Sequence, residues 1–137
     1  ELIGKRIGRG WLHGYPIENG AIASSVGHDS HNVCVVGTNP ADMLKAAEAL
    51  DQGGHVLVRN GEVVAKIPLP LGGLMSDATA EEVAAQHDAF MEEARAMGIE
   101  EPLDPIMGII FLPLAVIPTL RIRPEGMFDA TTFEYVR

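Results

Sequence analysis

The 137-residue chain is poor in cysteine, in aromatic residues and in positive charge, and it has no long uninterrupted apolar run. Its one cysteine, Cys34, has no internal disulfide partner and lies in the apolar stretch Val33-Cys34-Val35-Val36, which suits a reducing, cytoplasmic compartment. Ten Lys and Arg residues against nineteen Asp and Glu residues give a formal charge of −9, and no stretch of sequence gathers the basic residues into a patch. Neither nucleic acid nor an anionic membrane surface is therefore an expected partner. The longest apolar run, 106–117, is well short of the roughly 20 residues a membrane helix needs, and Pro113 and Pro118 interrupt and end it. It reads as core. There is no Met at the start and no charged-then-apolar leader before Ile7, so the sequence reads as a cut inside a longer chain without a signal peptide.

What is present is the composition of one globular domain: 47% hydrophobic and 21% charged residues, with 15 Gly and 9 Pro. Residues 1–20 carry five glycines and no hydrophobic period, which predicts a loop-rich leading segment of the kind that leans on something else, with the domain proper at 21–137. Ala21 to Val26 and Val33 to Val36 read as short strands flanking a polar loop. Thr38 or Asn39 caps a helix with Pro40 in its first turn; Met43, Leu44, Ala47 and Leu50 recur at helical spacing until Gly53-Gly54, which predicts a helix over 40–52. His55 to Arg59 and Glu62 to Ile67 flank Asn60-Gly61, whose tolerance of positive φ marks a type I′ hairpin.

Strand, helix and strand across 33–58 form a βαβ unit, for which a crossover to a parallel neighbour is the default, and the hairpin then makes the sheet mixed. A second helix is expected over 79–97, opened by the capping box Thr79-Ala80-Glu81-Glu82, with Val83, His87, Phe90, Ala94 and Met97 on its apolar stripe. The position of His87 on that stripe suggests a core histidine. Met107 to Leu112 is a buried strand or short helix, and Thr119 to Arg123 a short edge strand. The fold class is thus α+β: a mixed sheet, or two small sheets, with two main amphipathic helices outside.

Chemistry is densest in Ser24-Ser25-Val26-Gly27-His28-Asp29-Ser30-His31-Asn32, at a strand-to-strand junction. His28 and His31 with Asp29 or Cys34 have the donor chemistry for zinc, iron or manganese, although the spacing is no complete ligand set. A Ser-His-Asp nucleophilic triad is disfavoured, because near neighbours in an extended chain point to opposite sides. In the third reading Ser, Asp and Asn bond local backbone in a tight turn while the histidines face water. Elsewhere His13 lies in the leading segment, His55 begins a strand, and Gly72 to Asp77 reads as a plain loop rather than an anion cradle.

Four blocks, Gly20 to Val26, His28 to Asn32, Val35 to Asn39 and Leu69 to Asp77, closely resemble the C-terminal domain of bacterial adenine deaminase, of the amidohydrolase superfamily. Asp104-Pro105, Phe111-Leu112, Ile117-Pro118 and Gly126 follow in the order of that domain's ending. Gly27 stands where the family pattern has alanine, and Gly14 to Asn19 are less basic than the pattern.

The resemblance implies a hydrolase of purine salvage that converts adenine and water to hypoxanthine and ammonia. In the family a divalent metal, manganese or iron, held in an upstream TIM barrel of the same chain, activates the water. The sequence has no His-x-His strand end, so the fragment is expected to hold no metal and to be inactive alone. The resemblance suggests His28, His31 and Asp29 as supporting catalytic residues and Ser24, Ser25 and Asn32 as substrate-binding ones, on a loop facing the barrel mouth. The alternative is a non-catalytic module that packs on the barrel or mediates a homo-oligomer.

Overall fold

The computed structural model describes residues 6–28 and 30–136. After residues 6–20, which form no helix or strand, the order is β1 (Ala21–Ser24), β2 (Cys34–Gly37), α1 (Pro40–Ala49), β3 (Gly54–Arg59), β4 (Glu62–Pro68), α2 (Ala80–Ala96), α3 (Pro105–Ile110), β5 (Leu120–Arg123), β6 (Gly126–Asp129) and β7 (Glu134–Tyr135). β1 to β4 form one sheet in the order β2-β1-β3-β4, and β5, β6 and β7 form a second. All pairs are antiparallel. The expected mixed sheet does not form, and the alternative of two small sheets does. β2 and β3 do run parallel with α1 crossing between them, but β1 lies in the middle and pairs with both. The polar loop after β1 folds β2 back beside it as an antiparallel neighbour, and β3 occupies β1's other edge.

Alternation along the strands sorts the core into two layers. Ala21, Ala23, Val56 and Val58 face α1 through Ala46 and Leu50, and the small alanines let helix and sheet approach closely. Ile22, Leu57 and Ile67 face the other way, onto Phe90, Ala94 and Met97 of α2 and its end, and Ile109 of α3. The sheet is therefore covered on both faces, and each fully buried Leu, Ile or Phe contributes about 1.5–3 kcal/mol.

The helix ends follow their sequence signals. Asn39 caps α1 by accepting from Asp42 N–H at 2.8 Å, and Asp42 in turn accepts from Gly61 N–H at 2.7 Å, tying the helix start to the hairpin turn. That turn has Asn60 at φ 54° and Gly61 at φ 80°, both positive as type I′ requires. Thr79 and Glu82 form the capping box of α2. Asp104 accepts from Ile106 and Met107 N–H at the start of α3, so the ambiguous apolar run is a helix, capped and with Pro105 in its first turn. The leading segment is held by Tyr15, whose hydroxyl donates to Pro105 O at 2.9 Å; burial raises its pKa and keeps the phenol protonated. Residues 1–5 of that segment lie outside the described residues.

Candidate functional site

The junction from β1 to β2 carries the candidate residues, and its two halves differ. Ser24 is fully buried at the end of β1, paired across the sheet with Cys34 on one side and His55 on the other. Its hydroxyl donates to Val26 O and accepts from Val26 N–H, each at 3.0 Å. Ser25 is a three-way tie. Its hydroxyl donates to Gly73 O at 2.7 Å and accepts from Gly54 N–H at 2.7 Å, joining the end of β1, the start of β3 and the loop after β4. Glycine is required opposite it, because a Cβ on Gly53 would lie 2.4 Å from Gly73 Cα and Gly53 has φ 114°.

Past Gly27 the chain turns outward. His28 is exposed; its N–H donates to Ile110 O at 3.1 Å and its ring stacks on Phe111 with centroids 5.3 Å apart. His31 is exposed at φ 48°, with its N–H on Gly27 O at 3.0 Å. Asn32 is half-buried and donates to Ser30 Oγ at 3.2 Å. Asp29 lies outside the described residues. Among the described residues, then, only Ser24 bonds local backbone as a tight turn would have it: Ser25 ties distant backbone, Asn32 bonds the Ser30 side chain, and of the two exposed histidines His28 rests its ring on Phe111. Neither serine hydroxyl is bonded to an imidazole.

Burial pushes the Cys34 thiol up to about 11, which keeps it protonated at neutral pH. No three His, Cys, Asp or Glu side chains come together as a metal-ligand set among the described residues. No helix among them is long and apolar enough to cross a membrane.

Two features were not anticipated from sequence. His55, not His87, is the buried histidine: His87 is about half exposed on α2, whereas His55 is 7% exposed, set edge-on to Phe90, with no partner for Nδ1. Burial lowers its pKa to about 4, and the nearby charge of Asp104 only partly opposes this. The alternation along β3 carried that signal, because His55 shares its face with Leu57. The other feature is a groove of about 1940 Å³ walled by 6–12 of the leading segment, the outer edge of β2, α1 and β5, with His31 and Asn32 among its lining residues. No single stretch of sequence marks it, because its walls come from both ends of the chain.

Residues 3–134 match the family described as Adenine deaminase C-terminal domain. The chain belongs to that family. It is 49% identical over 134 residues to an adenine deaminase of Gluconobacter oxydans, a match that covers 95% of this chain and 23% of that protein. It is 47% identical to adenine deaminase 2 of Latilactobacillus sakei, covering 95% and 23%, and 42% identical to adenine deaminase 2 of Carboxydothermus hydrogenoformans with the same coverage. The chain thus spans about a quarter of the length of the curated relatives it matches, as one domain of a larger protein. The matched residues include both halves of the junction and every residue that lines the groove.

Proposed function

We propose that the chain is the C-terminal part of a cytoplasmic adenine deaminase, a hydrolase of the amidohydrolase superfamily that converts adenine and water to hypoxanthine and ammonia in purine salvage. We further propose that the β1–β2 loop helps to enclose the purine. Membership in the family supports the reaction class. The observation that carries the loop's part is that His31 and Asn32 line an open groove, whereas the serines behind them are tied to backbone.

In this reading Ser24 and Ser25 are positioning residues. Their bonds fix where the loop leaves the sheet, so that the exposed His28 and His31 are carried on a rigid base. An imidazole can both donate and accept a proton, which suits moving a proton to the leaving ammonia or orienting the attacking water. Asn32 offers an amide that both donates to and accepts from a purine edge. A divalent metal, manganese or iron, supplies the activation of water when bound. No three potential ligands come together among the described residues, so the upstream barrel would hold the ion.

The test is His28→Ala and His31→Ala in the longer enzyme. Loss of a proton-transfer partner lowers kcat on the order of 10²-fold, with the domain still folded; unchanged kcat and KM for both variants would reject the catalytic role. The size and apolar walls of the groove favour a second reading alongside the first, in which the chain packs on the rest of the longer protein.

A further inference from the structure

We infer that the groove between β2 and β5 is the docking surface for the domain that precedes this one in the longer protein, a surface that meets it with apolar side chains flanked by carboxylates. The inference rests on the reading of the chain as one domain of a larger deaminase, and not on any contact of His31 with a purine.

Size argues against the whole groove being a small-molecule pocket; in the proposed reading the purine borders only its His31-Asn32 end. Ligand sites run to about 300–1,000 Å³, and the groove exceeds that range at about 1940 Å³. Its walls carry large apolar side chains in water: Trp11 is wholly exposed, Ile7 74%, Leu44 61% and Val33 55%, with Leu12 and Leu120 beside them. Contiguous exposed apolar surface of this kind marks interaction sites.

Charge selects the partner. Among the described residues the groove is lined by Arg6, Arg9, Arg121 and Arg123, four of the chain's ten basic residues, and by Glu125 alone of its nineteen acidic ones. Arginine, methionine and tryptophan with few carboxylates and no lysine is the composition of an interface core, and Met43 and Met127 complete it. Arg121 is engaged with Ile117 O and Pro118 O and Arg123 with Glu125, which leaves Arg6 and Arg9 to meet a partner. A second copy is a poor occupant, because a twofold contact sets two patches of the same net positive charge together. The preceding domain is a good one. Residues 6–12 are themselves a wall of the groove, so a domain joined ahead of them is tethered at its mouth and meets it at high effective concentration.

The backbone agrees. β2 is an edge strand, and its Cys-Val-Val-Gly sequence has none of the charges or prolines that normally blunt an exposed edge. An unprotected edge beside an apolar groove is stable once another surface covers it.

The experiment places a photoreactive p-benzoylphenylalanine at Leu44, and separately at Val33, in the full-length protein, with Glu92 on the exposed side of α2 as the control position. The expected result is that the peptides bearing positions 44 and 33 gain the mass of a peptide from the preceding domain within one chain, while the one bearing position 92 does not. Adducts joining two chains, adducts confined to this 137-residue stretch, adducts at position 92 equal to those at 44, or no adduct at either groove position would overturn the inference. The readout is a mass and needs no turnover, so it is independent of the outcome for His28→Ala and His31→Ala.

Discussion

The two edges of the main sheet are built in opposite ways. β4 carries Glu62, Lys66 and Pro68, and Lys66 reaches across to donate to Ala49 O at the end of α1 at 2.7 Å. β2 carries no charge and no proline, and its neighbours are Val33 and the groove. A protected edge needs no partner, whereas a bare one implies a partner. The same division runs through the β1–β2 junction, where the serines face inward to backbone and the histidines face out. One side of the molecule is finished, and the other is prepared for contact.

The largest expected effect breaks that contrast at its core. Phe90 is fully buried between α2 and the sheet, and Phe90→Ala should cost about 3–5 kcal/mol. Leu44→Ala removes a comparably large apolar side chain, but one 61% exposed on the groove wall, and should change the stability of the 137-residue chain by less than about 0.5 kcal/mol. Urea unfolding of the two variants compares them directly. Similar losses would mean that the groove wall is already packed.

Next in size is the buried histidine. His55 has its pKa held at about 4, below the ordinary 6.5, because its imidazole is buried with no partner on Nδ1. The unfolded state then takes up the proton first. The stability the neutral ring provides is complete above about pH 6.5 and is lost as pH falls toward about 4, amounting to roughly 3 kcal/mol once both states are protonated. His55→Leu should flatten that part of the stability profile. Unchanged pH dependence between pH 6.5 and 4 would show that His55 is not the group responsible.

Ser25→Ala tests the tie at the junction. It leaves the buried Gly54 N–H and the Gly73 carbonyl without their partner, at a cost of about 1–3 kcal/mol. Amide exchange should quicken at Gly54 and through the loop after β4 while α1 stays protected. A uniform loss across the chain would instead make Ser25 an ordinary core residue.

Most of the fold was legible because it rests on local rules. Asn39-Pro40, Thr79 to Glu82 and Asn60-Gly61 place a cap, a capping box and a turn wherever they occur, and the observed elements begin at them. Strand order was not legible, since β1 and β3 meet through pairing that no short motif specifies; only the competition for β1's free edge decides it. His87 misled for a related reason. Helical spacing puts it on the stripe of Phe90 and Ala94, but α2 buries only those two residues, in its second half, and leaves His87 about half exposed. The candidate loop was found through its residue types. The groove it borders was hidden because Arg6 and Arg9 meet Arg121 and Arg123 only in three dimensions.

The smallest effect concerns how firmly the outward half of the junction is set. Gly27 is buried, and a Cβ there would meet Asn32 O at 3.2 Å, Asn32 N at 3.4 Å and His31 Cα at 3.5 Å. Gly27→Ala therefore asks the His31-Asn32 turn to yield by a few tenths of an ångström. That turn is exposed at His31 and bonded to the body of the protein mainly through Gly27 itself, so it has room to give. Alanine also removes unfolded-state freedom, a gain of about 0.4–1 kcal/mol where the backbone conformation is compatible. The two effects should nearly cancel, leaving stability within about 0.5 kcal/mol and chemical-shift changes confined to residues near 27–34. A loss well beyond that would mean the turn is as rigid as the Ser25 tie, and the inward and outward halves of the junction would then be one unit.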